Sequence, residues 1–271
     1  MLRFDRIGHL LSPDAIRDKR VVQVGVGSGG APVNDHLTMN GVRRWILFDP
    51  DVYEEVNLVR HPRRRSDIGR LKVECQRDWI LDRNPGAEVE IFAEDVLSAP
   101  NFRDAVAGAD LLLCCPDKQA VRLFVNTVAV EKKCACITAS VYRQGFGGES
   151  YSYVPSVTGC FACMQRIAAE QGWNTEEPVQ PLPIEQDAIY GLNLRDYRAS
   201  GLSMDIDAIA IIQARMALDT LLRGTERRFS PLPANWVIFY NRRIPNAASS
   251  GFLKGVHCSV KPRVDCLCGV P

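Results

Sequence analysis

The stretch Gly25-Val26-Gly27-Ser28-Gly29-Gly30 is the first whose residue types can do chemistry. Gly25, Gly27 and Gly30 fit G-x-G-x-x-G, a loop that brings backbone N–H groups up to phosphates at a helix N-terminus. A Cβ at these positions would hold a phosphate away from those groups. Asp49 lies 19 residues past Gly30, at the end of the next apolar run, where a carboxylate accepts hydrogen bonds from ribose hydroxyls. A glycine turn and a helix-capping aspartate are the plain alternative, but strand, loop, helix, strand and acid in that order favour a nucleotide. Further along stand Arg60, Lys72 and Asp117. Two cations and an acid able to hold Mg²⁺ suit a triphosphate with a departing pyrophosphate.

Hydrophobic periodicity supplies the elements that must position these groups. Val21 to Val26 reads as a buried strand, and a helix follows over Gly29 to Asn40, with Pro32 tolerable in its first turn. Strands are expected at Trp45–Phe48, Val89–Phe92, Leu111–Cys115 and Cys136–Ala139, with helices over Leu71–Arg83 and Gln119–Lys132. Strands alternating with helices specify a Rossmann-like, mostly parallel α/β sheet flanked by helices. Gly145 to Tyr153 reads as a hairpin, the start of an antiparallel C-terminal extension. Residues 171–198, rich in Pro, Gln, Glu and Asn, read as a long functional loop; a helix over Asp205–Leu222 and a strand at Trp236–Tyr240 follow.

Composition narrows the class. The 271 residues carry 33 Lys+Arg against 32 Asp+Glu, a net charge of +1, which argues against a general nucleic-acid binder. Arg63-Arg64-Arg65 is read as a solvated run beside a triphosphate. No stretch is apolar for long enough to span a membrane, and charges interrupt the first twenty residues, so a cytoplasmic setting is expected. There, the ten cysteines read as metal ligands or packed thiols, and Cys160-x-x-Cys163 has the spacing of half a tetrahedral zinc site. Cys114 and Cys115, at a strand end, read as packing atoms.

The sequence resembles the ThiF/MoeB/HesA family of adenylating domains related to ubiquitin-activating enzymes. The marks are Arg3-Phe-Asp-Arg6, the glycine loop, Asp49-Pro-Asp51, Asn57-Leu-Val-Arg60, Ile68-Gly69-Arg-Leu-Lys72, Asn84-Pro85 and Cys115-Pro-Asp117, densest over residues 1–140. The resemblance implies one adenylation domain over 1–271, with a nucleotide-binding half (1–140) and a cargo-binding half (141–271). It implies ATP and Mg²⁺ activating the C-terminal carboxylate of a ubiquitin-like or sulfur-carrier protein as an acyl-adenylate. By position, the loop of Gly25, Gly27, Ser28, Gly29 and Gly30 would meet the nucleotide, and Asp49 would hold the ribose, with Asp51 beside it. Asn57, Arg60 and Lys72 would hold the phosphates, and Asp117 the magnesium. Arg6 matches the arginine finger that crosses to a partner's site in homodimers.

Family members complete the zinc site with a second C-x-x-C near the C-terminus. Here the tail offers Cys266-Leu267-Cys268, one residue shorter, with Cys258 as a possible substitute ligand. Members that pass cargo to their own thiol use a cysteine after the first pair. None stands between Met164 and His257, so the reaction is expected to end at the adenylate. Adenylation of a ribosomal peptide or a tRNA-linked carboxylate is the second reading, and a nicotinamide-dependent oxidoreductase a more remote third.

Overall fold

A computed structural model describes residues 4–142, 145–171, 201–243 and 250–269. Eight strands form one sheet in the order β3-β2-β1-β4-β5-β6-β7-β8. The strands are β1 (Arg20–Val24), β2 (Arg44–Phe48), β3 (Glu88–Phe92), β4 (Leu111–Cys114), β5 (Cys136–Val141), β6 (Gly147–Tyr153), β7 (Trp236–Tyr240) and β8 (Lys254–Cys258). β1 to β5 pair in parallel, and β6, β7 and β8 extend the sheet antiparallel. The expected α/β architecture and its antiparallel extension are both present.

Among the described residues seven helices flank the sheet: α1 (Asp14–Arg17), α2 (Gly30–Met39), α3 (Lys72–Arg83), α4 (Phe102–Ala107), α5 (Gln119–Glu131), α6 (Phe161–Glu170) and α7 (Ser203–Leu221). Alternation along each strand divides the core in two. Val22, Val24, Ile46, Phe48 and Leu112 pack with α4, α5 and α6 on one face. Val21, Trp45, Leu47, Leu111 and Leu113 pack with α2, α3 and α7 on the other. The apolar stripe of α7, including Ile206, Ile209, Ala210 and Leu218, is core.

Strand register sets the height of the future site. Val24 pairs with both Phe48 and Cys114, so β1, β2 and β4 end level. The next residues continue the ladder: Gly25 N–H donates to Phe48 O at 2.8 Å, and Cys115 N–H to Val24 O at 2.9 Å. Gly25, Asp49 and Cys115 therefore share one rim. The chain leaves β1 towards β2 on one side, and β4 lies on the other. A crevice opens at such a switch point.

Two expectations need correction. Gly145–Tyr153 does not fold back on itself as a hairpin; Gly147–Tyr153 is one wholly buried strand, antiparallel to both β5 and β7. Arg63 is not solvated, because Asp35 of α2 and Gln76 of α3 converge on its guanidinium at 2.6 Å each and bury it. The expected loop at 171–198 lies, apart from Gln171, outside the described residues.

Candidate active site

A cavity of about 1010 Å³ occupies the crevice. Gly25, Gly27, Ser28, Gly29, Asp49, Asp51, Asn57, Arg60, Lys72 and Asp117 all line it. Of the sequence-predicted nucleotide residues only Gly30 and Arg6 do not. Gly30 is buried beneath the loop, and Arg6 is exposed on the N-terminal segment.

The glycine loop is gripped from outside itself. Gln23, fully buried on β1, donates its amide to Gly25 O at 2.9 Å and to Gly30 O at 2.8 Å, tying the two ends together. Its Oε1 accepts from Asn34 at 3.1 Å; Asn34 accepts from Gln76 at 2.7 Å, and Gln76 accepts from Arg63. The chain of amides thus runs from the loop to the segment that carries Arg60. Two glycines are required sterically. Gly25 sits at φ +87°, and a Cβ on Gly30 would stand 2.1 Å from Gly25 O. Gly27 differs: a Cβ there would meet nothing within 4 Å, since the space above it is the cavity. Among the described residues the N–H groups of Gly27, Ser28 and Gly29 find no acceptor in the chain. Unpaired donors at the head of α2 make an anion cradle.

Asp49 closes one side. Its Oδ2 accepts from Val26 N–H at 2.8 Å, and its Oδ1 from Asp51 N–H at 2.9 Å. Burial raises its pKa, opposed by these two N–H groups and by Lys72. Each oxygen keeps a lone pair, which is what a ribose hydroxyl needs. Lys72 opens α3 and pairs with Asp51 at 2.7 Å; its amide also donates to Asp51 O at 2.9 Å. Asn57 caps its own short helix, accepting from Glu54 N–H at 2.9 Å. Across the crevice, Arg122 Nε donates to Pro116 O at 3.1 Å and fixes the turn that presents exposed Asp117.

Sequence reasoning missed several lining groups. Glu94, Asp95 and Val96 follow β3, and Ser140, Val141 and Tyr142 stand at the end of β5. The rule that ligands gather beyond the carboxyl ends of parallel strands was the available signal. His61, Arg122 and Gln213 gave none, because each reaches the site through non-local packing.

The cysteines of the C-terminal half converge elsewhere. Cys160 Sγ lies 3.5 Å from Cys266 Sγ, Cys163 Sγ lies 3.4 Å from Cys268 Sγ, and the four sulfurs all fall within 4.8 Å of one another. Sulfurs around a tetrahedral zinc with Zn–S of about 2.3 Å stand roughly 3.8 Å apart, so four thiols at this spacing fit the ion. The shortened Cys266-x-Cys268 pair completes the cluster, and Cys258, on β8, lies outside it.

The chain matches the ThiF family over residues 2–244. It belongs to that family. Relatives include ubiquitin-like modifier-activating enzyme 5 of Caenorhabditis briggsae, 31% identical over 175 residues, which are 60% of this chain and 40% of that protein. The enzyme of the same name from Arabidopsis thaliana is 25% identical over 187 residues, 64% of this chain and 43% of that one. The chain spans less than half the length of these curated relatives. Among solved structures, E. coli MccB with AMPCPP and MccA superposes with a TM-score of 0.71 at 21% identity, over 95% of this chain and 68% of that one. PaaA does so with a TM-score of 0.62 at 16% identity, over 92% and 66%. These two likenesses speak to the fold. No helix among the described residues is long and apolar enough to cross a membrane.

Proposed function

We propose that this ThiF-family chain is an ATP-dependent adenylyltransferase acting on the C-terminal carboxylate of a ubiquitin-like or sulfur-carrier protein. One observation carries the reading: Arg60 and Lys72, from separate segments, line the same cavity as the unpaired N–H groups of the glycine loop and the carboxylate of Asp49. The names of the curated relatives supply the cargo class.

A C-terminal carboxylate, with a pKa of roughly 3.5, is already an anion at neutral pH and needs no general base. Its oxygen attacks the α-phosphorus of ATP. The bond from that phosphorus to the bridging oxygen breaks, and pyrophosphate leaves with the electron pair. The products are an acyl-adenylate and pyrophosphate. The barrier is the approach of an anion to a polyanion, which fixed cations offset. In this reading the loop N–H groups, Arg60 and Lys72 hold the phosphates, Asn57 orients them, and Asp49 holds the ribose. Lys72 exchanges its ion pair with Asp51 for phosphate oxygens. Asp117, exposed at the cavity wall, is the carboxylate suited to Mg²⁺, which would neutralise charge on the leaving group. Arg6, outside the cavity of its own chain, would be supplied across a homodimer. The four-cysteine cluster would hold zinc and fasten the tail. With no cysteine between Met164 and His257, the acyl group would pass from the adenylate to another protein's thiol or amine in a cytoplasmic setting.

ATP–pyrophosphate exchange tests this. Exchange should appear with a Gly-Gly-ended ubiquitin-like protein and vanish in Lys72→Ala and in Asp117→Ala while both stay folded. Exchange with a short peptide instead would move the cargo to the second reading. Wild-type exchange in both variants would falsify the site.

A further inference from the structure

His61 is a buried group that the proposed chemistry leaves idle. It follows Arg60, is 6% exposed and lines the cavity. Its Nε2 lies 2.9 Å from Val26 O. A carbonyl only accepts, so Nε2 carries the proton. Nδ1 is buried and has no partner among the described residues. The ring of Tyr53 packs edge-on against it with centroids 5.0 Å apart. Burial, with smaller pushes from Arg63 and Lys72, lowers the imidazole pKa to about 4. The ring is therefore a neutral, single-donor group at neutral pH.

The carbonyl it grips belongs to the glycine loop. Val26 N–H is already held by Asp49 Oδ2, so the peptide units on both sides of Val26 are clamped. The Val26–Gly27 peptide is trans, and a trans peptide directs its N–H opposite to its C=O. With the C=O turned to His61, the Gly27 N–H faces the other way. It has no acceptor among the described residues, at a residue that lines the cavity and whose added Cβ would meet nothing within 4 Å. We infer that His61 is a positioning residue that aims the Gly27 N–H at a phosphate of the bound nucleotide. The inference rests on the nucleotide reading above. It adds that one phosphate contact depends on a side chain 34 residues away from the loop glycine it orients (61 − 27).

The test compares nucleotide and nucleoside binding in the full chain. His61→Phe keeps an aromatic ring against Tyr53 and removes the donor. His61→Gln restores a neutral N–H donor of similar reach. We expect His61→Phe to raise the KM for ATP about tenfold, the cost of a misdirected hydrogen bond to a charged group, with His61→Gln recovering most of it. Inhibition by adenosine, which lacks phosphates, should not change in either variant. A ring that merely supported the fold would weaken ATP and adenosine together. If His61→Phe does not fold, His61→Asn, whose amide is too short to reach Val26 O, serves in its place. Wild-type KM for ATP in the donor-less variant overturns the inference and leaves the nucleotide site standing. Wild-type chain that binds no ATP overturns both.

Discussion

The two halves of the sheet solve the problem of bringing distant atoms together by different means. In the parallel half, each crossover returns the chain to the same rim, and register alone sets Gly25, Asp49 and Cys115 side by side. What remains is fine positioning, done by buried amides and one imidazole. In the antiparallel half, residues 106 and 105 positions apart are brought within 3.5 Å as sulfur pairs, Cys160 with Cys266 and Cys163 with Cys268. β8 is an edge strand of mostly exposed or half-buried residues, including exposed Lys254, Gly255 and His257. The first half is positioned by register and buried amides, whereas in the second the four thiols gather at one point beside the Asn235–Val260 and Arg166–Asp265 contacts of the tail.

The sharpest way to break that contrast is at the cysteines. Structural zinc in small peptides contributes about 10–16 kcal/mol of apparent binding energy. Cys160→Ser, or chelation of the purified chain, should lower the melting temperature by roughly 10 °C or more. It should also open the 259–269 segment to protease. Nucleotide affinity measured below that lower melting point should be nearly unchanged, because none of the four cysteines lines the cavity. Equal loss of tail and nucleotide binding would show that the halves do not fail independently.

A smaller effect separates scaffold from cradle within the first half. Gln23→Leu leaves Gly25 O and Gly30 O without their buried amide donor, at a cost of about 2–4 kcal/mol. Gly30→Ala is destabilising for a different reason, since its Cβ cannot share space with Gly25 O. Gly27→Ala is the opposite case. It should change stability by less than about 0.5 kcal/mol and yet weaken ATP, because the methyl group fills cavity rather than protein. Chemical denaturation beside ATP binding reads both quantities.

The same contrast explains what the sequence could tell. β1 to β5 and the helices α2, α3 and α5 were legible within a residue or two, because each βα unit writes its own turn and apolar run locally, whereas the short α4 (Phe102–Ala107) between β3 and β4 was missed. The cradle was legible too, since its residues sit at strand ends. Arg63 was misread because its burial depends on Asp35 and Gln76, two helices that meet only in space. β6 was misread because Gly147-Gly-Glu-Ser-Tyr-Ser-Tyr153 contains turn-formers although both faces are covered. α6 was hidden by the Cys160-x-x-Cys163 pair at its start, and β8 by its polarity. Spacing alone offered a two-ligand half-site; the family resemblance added Cys266 and Cys268, and the structure gathers those four and leaves Cys258 outside.

Acid should probe the fine positioning. His61 has its folded pKa lowered from 6.5 to about 4, so the unfolded chain binds the extra proton in that window. Stability therefore rises with pH between about 4 and 6.5 and falls on acidification, by at most about 3 kcal/mol from this residue. Asp49 acts with the opposite sign: burial raises its pKa, so its contribution is greatest in acid and lost as pH climbs above 3.8. The two overlap, which makes the difference between wild type and His61→Gln the informative quantity. Urea midpoints from pH 7 to pH 4 should fall less steeply in the variant. Parallel curves would mean that the imidazole takes up a proton in place.

The smallest effect is expected where a thiol sits closest to the proposed chemistry. Cys115 lines the cavity next to the Pro116-Asp117 turn, a tempting acceptor for an activated acyl group. Burial pushes its thiol far above the ordinary value of 9.0, outweighing the lowering by Gln213, whose Oε1 lies 3.5 Å from its Sγ, and by the Arg122 charge. A thiol so placed is packing, not a nucleophile. Cys115→Ala should leave ATP–pyrophosphate exchange within about twofold of wild type and cost only about 1 kcal/mol for the lost sulfur. With cargo and ATP present, no thiol-sensitive adduct should appear on this residue. A cargo thioester mapped to Cys115 would give the parallel half a reactive cysteine of its own. The division between cysteines that pack and cysteines that ligate would then no longer follow the division of the sheet.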